Sequence, residues 1–77
     1  MNPRVTFVKP LSDHRLELIF ANGEIKRFDM RPYLETGIFT ELKDPELFLT
    51  AKAVLGTVSW ENGADLCPDT LYLEAEA

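Results

Sequence analysis

At 77 residues, with 45% hydrophobic and 27% charged side chains, the chain has the balance of one small globular domain, and a domain of this size buries only about 60% of the surface its unfolded chain exposes. Thirteen acids against eight bases leave a net charge of −5, which excludes non-specific nucleic-acid binding by phosphate neutralisation and suits either solubility or a basic partner. No apolar run approaches the about 18 residues of a membrane helix, Val5-Thr6-Phe7-Val8 is too short for a signal peptide, and one cysteine cannot close an internal disulfide, so the expected location is the cytoplasm.

The first predicted element is a strand from Val5 to Lys9, stopped at Pro10. Leu11-Ser12-Asp13 turns the chain into a second strand, His14 to Phe20, where Leu16, Leu18 and Phe20 share one face and Arg15, Glu17 and Ile19 the other. Asn22-Gly23 is a strong hairpin signal and returns the chain as a third strand, Glu24 to Met30. There Ile25 is out of phase with Lys26, Phe28 and Met30, which predicts a bulge or a strand covered on both faces.

Arg31-Pro32-Tyr33-Leu34-Glu35 reads as one helical turn, and Ile38, Phe39 and Leu42 as core plugs. Asp44-Pro45-Glu46 is a capped helix start, and Leu47, Phe48, Ala51 and Leu55 follow at helical spacing before Gly56. Thr57-Val58-Ser59-Trp60 predicts a fourth strand, Asn62-Gly63 a turn, Ala64 to Cys67 a short return strand, and Pro68 to Tyr72 a last short helix.

Together these make a small α+β domain. It has an antiparallel sheet, formed by a three-stranded N-terminal meander plus a C-terminal hairpin, with one main helix and two short helical turns. The expected organisation is a single domain over 1–77, with its core at about 4–73 and a frayed tail at 74–77.

Several runs are familiar. Val8-Lys9-Pro10-Leu11, Leu18-Ile19-Phe20-Ala21-Asn22-Gly23-Glu24 and Leu42-Lys43-Asp44-Pro45-Glu46-Leu47-Phe48 occur with a closing Val58-Ser59-Trp60-Glu61-Asn62-Gly63-Ala64-Asp65-Leu66-Cys67-Pro68-Asp69-Thr70-Leu71-Tyr72. From Val5 to Tyr72 the chain resembles the bacterial family catalogued as domain of unknown function 2442. The resemblance brings no enzyme activity, cofactor or catalytic residue. Members are often encoded beside a small toxin-like protein, which implies an antitoxin-like role.

Candidate site residues come mainly from the closing run. Asp65 and Asp69, with Asp29 as a third, are the acids that could share a cation or divide acid and base roles. Their spacing fits no calcium loop, and turn or helix-start duties explain them as well: Asp65 on turn amides, Asp69 at a helix N-terminus. His14 has no nucleophile or second ligand near it in sequence and is expected at the surface. Cys67 is expected to pack as a small apolar group.

Tyr33, Trp60 and Tyr72 combine apolar bodies with polar handles and serve either a core or an interface. The candidate contacts are therefore Tyr33, Trp60, Asn62, Asp65, Asp69 and Tyr72, with no catalytic, cofactor or metal residue. The function expected is a non-enzymatic protein-interaction module, antitoxin-like, whose partner is a protein such as a toxin-like neighbour or a second copy, with neither nucleic acid nor membrane. The alternatives are a ligand-binding or enzymatic domain using Asp65, Asp69 and Trp60, or a self-associating domain.

Overall fold

Leu16, Leu18 and Phe20 are all within 1% of complete burial, as their shared strand face requires, and they form the centre of the core. The computed structural model, which describes residues 2–76, builds six strands: β1 (Val5–Pro10), β2 (Arg15–Phe20), β3 (Ile25–Asp29), β4 (Lys52–Val54), β5 (Thr57–Ser59) and β6 (Asp65–Leu66). They make two antiparallel three-stranded sheets, ordered β1-β2-β3 and β4-β5-β6. The sheets meet where the Val5 N–H donates to the Gly56 carbonyl at 3.0 Å. One core runs between them, from Phe28 and Met30 through Leu42 and Phe48 to Val58, Trp60 and Leu71. The α+β class and the antiparallel meander follow the sequence expectation.

Three hairpin loops are built alike. In Leu11–Arg15, Phe20–Glu24 and Trp60–Ala64 the first N–H donates to the fifth carbonyl at 2.8, 2.9 and 2.9 Å, and the fourth N–H donates back to the first carbonyl. This is a type I turn followed by a residue in the left-handed region, occupied by His14 (φ 62°), Gly23 (φ 90°) and Gly63 (φ 90°). The asparagines stay outside the left-handed region; instead Asn22 and Asn62 accept the N–H of Glu24 and Ala64, each at 3.0 Å.

The expected bulge lies in β1 and not in β3. β3 pairs with β2 without interruption from Ile25 to Asp29, whereas the β1 register shifts between Val5 and Phe7. Thr6 is the extra residue, and its hydroxyl donates to the Ile19 carbonyl at 3.1 Å. One inserted residue lets Val5 and Val8, three apart, both point into the core and turns Phe7 outward.

The largest correction concerns the helix expected from Asp44 to Leu55. Its start forms as read, with the Glu46 N–H on the Asp44 carboxylate at 3.0 Å, but α1 covers only Pro45–Phe48. Tight bonds from Thr50 N–H to Leu47 and from Ala51 N–H to Phe48 end it. A helix of this length is marginal on its own, and pairing Lys52–Val54 with Thr57–Ser59 brings those residues into a sheet. The longest α-helix is α2 (Pro68–Glu74). Among the plugs Leu42 is fully buried, Phe39 half-buried and Ile38 exposed, within short 3₁₀ segments at Arg31–Tyr33 and Gly37–Lys43.

The expected frayed tail is also corrected in part. Glu74 ends α2, and Glu76 exchanges two 2.8 Å backbone bonds with Arg27 on the free side of β3; Ala77 lies outside the described residues.

The β4–β5 turn holds strain. Leu55 sits at φ 51° and Gly56 at φ 84°, the backbone of a type I′ turn, which favours Asn-Gly. A leucine in the left-handed region costs roughly 1–2 kcal/mol, and this one is 88% exposed, so burial does not offset it. Leu55→Asn is expected to raise the melting temperature by about 4–8 °C per kcal/mol recovered, read by thermal unfolding. Gly56→Ala should lower it, because its Cβ would stand 2.8 Å from the Arg4 side chain.

Candidate functional site

The acids singled out in the sequence do not converge. Asp65 is exposed on β6, and the turn amide beside it is held by Asn62 rather than by Asp65. Asp69 is exposed in the first turn of α2 and accepts from Asn2 at 3.3 Å. It lines a shallow recess with Asn2, Arg4, Thr57 and Pro68, which includes neither Asp65 nor Trp60. Asp29 is engaged by Arg31 at 2.8 to 3.2 Å, and this guanidinium holds its carboxyl down to about 2. Among the described residues no group of three His, Cys, Asp or Glu side chains could hold a metal ion.

Trp60 is 4% exposed. Its indole N–H donates to the Phe48 carbonyl at 3.0 Å, and its ring lies between Phe39 and Phe48 at 6.4 and 6.1 Å. The indole therefore belongs to the core and presents no contact surface. Asn62 bridges from its turn to the Glu41 carboxylate at 3.1 Å. Two other expectations are corrected. His14 is half-buried, its Nε2–H donating to the Leu42 carbonyl at 3.0 Å with its ring 4.8 Å from Phe48. Cys67 is exposed, just ahead of α2, because Leu66 and Leu71 take the inward positions on either side.

Tyr33 and Tyr72 straddle core and surface. Tyr72 packs edge-on against Phe20 at 5.1 Å, lies beneath the Lys26 ammonium at 4.0 Å, and donates to Glu24 at 3.1 Å, which raises its phenol pKa. Tyr33 stacks on Phe28 at 5.6 Å and donates to Glu74, a bond that pushes its phenol up to about 12. A raised folded-state value means the neutral phenol contributes stability below about pH 10, and that contribution is lost as pH climbs toward 12. At about pH 10, where free tyrosine is half ionised, the native protein is expected to show well under half of its phenolate absorbance. Half-maximal absorbance there would show that these hydrogen bonds do not hold in solution.

The surface best suited to a partner was not singled out by sequence. It is the outer face of the first sheet. Phe7 pairs with Ile19, and Ile19 with Ile25, so the three side chains form one row across all three strands, spanning about 10 Å. Phe7 is 52% and Ile25 59% exposed, with Ile19 half-buried between them. The next row is Lys9, Glu17 and Arg27, and beyond it lie Arg15 and Asp29. The core lies on the other side of the sheet, and residues 74–76 reach this face at its charged end, beside Arg15, Arg27 and Asp29, leaving Phe7 and Ile25 exposed. An apolar row rimmed by charges is the composition of a contact patch. The phase break at Ile25 was its one sequence signal.

Among the described residues no helix is long and apolar enough to cross a membrane. Residues 5–77 match the family model described as Protein of unknown function (DUF2442). No curated protein and no solved structure is significantly similar to the chain.

Proposed function

The chain belongs to the DUF2442 family, and we propose that it is a non-enzymatic protein-interaction module of the bacterial cytoplasm, acting as the antitoxin-like partner of a toxin-like protein. The observation that carries this reading is the uncovered Phe7-Ile19-Ile25 row. A 77-residue domain has little apolar surface to spare for its core, and placing three large side chains in line on the open face offers them to a partner. Tyr33, Tyr72, Asn62, Asp65 and Asp69 are half-buried or exposed, and the acids among them would supply secondary, electrostatic contacts to a basic partner.

Co-expression with the product of the adjacent gene tests the proposal. The expected result is a complex that survives purification and relieves any growth defect the partner causes alone. Separate elution with no relief of growth would overturn it. A second copy seated on the same face would show instead as concentration-dependent dimer in sedimentation.

A further inference from the structure

Leu11, Ser12, His14, Pro45, Phe48 and Leu49 line an apolar recess of about 170 Å³ between the first hairpin loop and α1. This is room for one aliphatic side chain, well short of the about 300–1,000 Å³ of a drug-sized ligand site. Leu49, at the end of α1, stands 56% exposed at its edge. The recess shares no residue with the Phe7 row.

The chain also displays one aliphatic side chain that nothing covers. Leu55 is 88% exposed at φ 51°, where a leucine is strained and an asparagine would not be. Strain that burial does not offset marks a position held for another purpose. The turn is firmly held: the Arg4 guanidinium donates to the Leu55 carbonyl at 3.0 Å, the Arg4 stem lies against Gly56, and the Val5 N–H donates to the Gly56 carbonyl. A leucine presented on a rigid turn gives up little freedom when it is buried. Turn and recess lie at opposite ends of the six-residue β1, about 20 Å apart, so Leu55 stands clear of the recess of its own chain.

Charge separates the two ends in the same sense. The acids nearest the recess in the chain are Asp13, Asp44 and Glu46. Asp13 is paired with Arg15 and the neighbouring Lys43 with Glu35, which leaves Asp44 and Glu46, on either side of Pro45, without an ion pair among the described residues. Arg4 beside Leu55 likewise has none; Asp69 lines a neighbouring recess with it but lies beyond ion-pairing distance. We infer that the β4–β5 turn and the recess are the two halves of a self-association contact: Leu55 of one copy enters the recess of a second copy, bringing Arg4 toward Asp44 and Glu46. The leucine is kept at a strained position because it serves this contact, at a cost to the stability of the single chain.

The test is sedimentation of the full chain from micromolar to millimolar concentration. Leu55→Asn removes the inserted side chain and Leu49→Lys places a cation in the recess, and each alone is expected to raise the dissociation constant roughly tenfold or more. Leu55→Asn is also expected to be the more stable chain, so its loss of association would not reflect unfolding. The contact joins unlike surfaces. An equimolar mixture of the two variants therefore keeps one intact leucine and one intact recess, and should form a one-to-one pair where neither variant associates alone. Should Leu49→Lys fold poorly, Glu46→Lys leaves the recess in place, reverses its rim charge and is expected to weaken association in the same direction. The Phe7→Thr, Ile25→Thr pair should associate like the unaltered chain. An unaltered chain that stays monomeric at millimolar concentration, a mixture that fails to pair, or a loss confined to the Phe7 and Ile25 variant would overturn the inference. Co-purification with the product of the adjacent gene is a separate readout, so either reading can fail alone.

Discussion

Trp60→Ala is expected to leave the domain largely unfolded at physiological temperature. Removing a buried aromatic ring costs about 3–5 kcal/mol. A chain of this length has roughly 4–12 kcal/mol of total stability at its disposal, so the loss takes a large share of it. Trp60 also connects elements. Its ring packs on Phe39 and Phe48 and its N–H reaches the Phe48 carbonyl, which ties the end of β5 to α1 and the 3₁₀ segment before it. Trp60→Phe separates the two contributions. It keeps most of the apolar volume and leaves the Phe48 carbonyl with only the 3.3 Å bond from the Ala51 N–H, for an expected cost of about 1–2 kcal/mol. Urea unfolding followed by circular dichroism reads both variants. An alanine variant as stable as the phenylalanine one would show that the ring, despite its burial, is not a core element.

How much of this fold is legible in the chain depends on whether local and tertiary preferences agree. At Leu16, Leu18 and Phe20 they do: strict alternation can bury one face only as a strand, and all three are buried. The Asn-Gly pairs at 22–23 and 62–63 mark the hairpins for the same reason, since only a glycine takes the left-handed fourth position of the loop without cost. In the first hairpin that position belongs to His14, which no turn rule selects. Its hydrogen bond to Leu42 and its packing on Phe48 offset the strained backbone.

Agreement fails between Asp44 and Leu55. Cap, proline and apolar spacing all favour a helix there, and the first turn forms. A three-residue strand has no pattern of its own to compete with, so Lys52–Val54 becomes a strand only because Thr57–Ser59 lies beside it. The β1 bulge is hidden for a related reason. Val5-Thr6-Phe7-Val8 places an apolar residue on either face in any register, and the choice is made by what β1 packs against.

The same limit governs the site. Alternation assigns Phe7, Ile19 and Ile25 to faces but cannot say whether a face is covered, because covering is a property of the assembled layers. The sequence candidates come instead mainly from the closing run, where the indole is structural and the turn satisfies its own amides.

The outer row leads to the second large effect, of opposite kind. The paired substitution Phe7→Thr with Ile25→Thr should leave the fold intact and strongly weaken the proposed complex. Both side chains are more than half exposed, and threonine is β-branched, a shape strands favour, so the melting temperature should move by no more than a few degrees. At an interface, aromatic and aliphatic anchors in the centre of the patch carry most of the binding energy. Losing two is expected to cost about 2–3 kcal/mol, roughly a hundredfold in affinity for the product of the adjacent gene. Leu55→Asn is the matched control, since it removes an even more exposed leucine that belongs to the β4–β5 turn and not to the row, and should leave affinity unchanged while stabilising the chain. The two effects are thus expected to separate completely, with stability rising where binding is unaffected and binding falling where stability is unaffected. If the Phe7/Ile25 variant binds as well as the unaltered chain, or if Leu55→Asn is the change that abolishes the complex, the contact lies elsewhere. A fall in stability equal to that of a core substitution would show instead that the row is buried in solution, with a second copy as the natural cover.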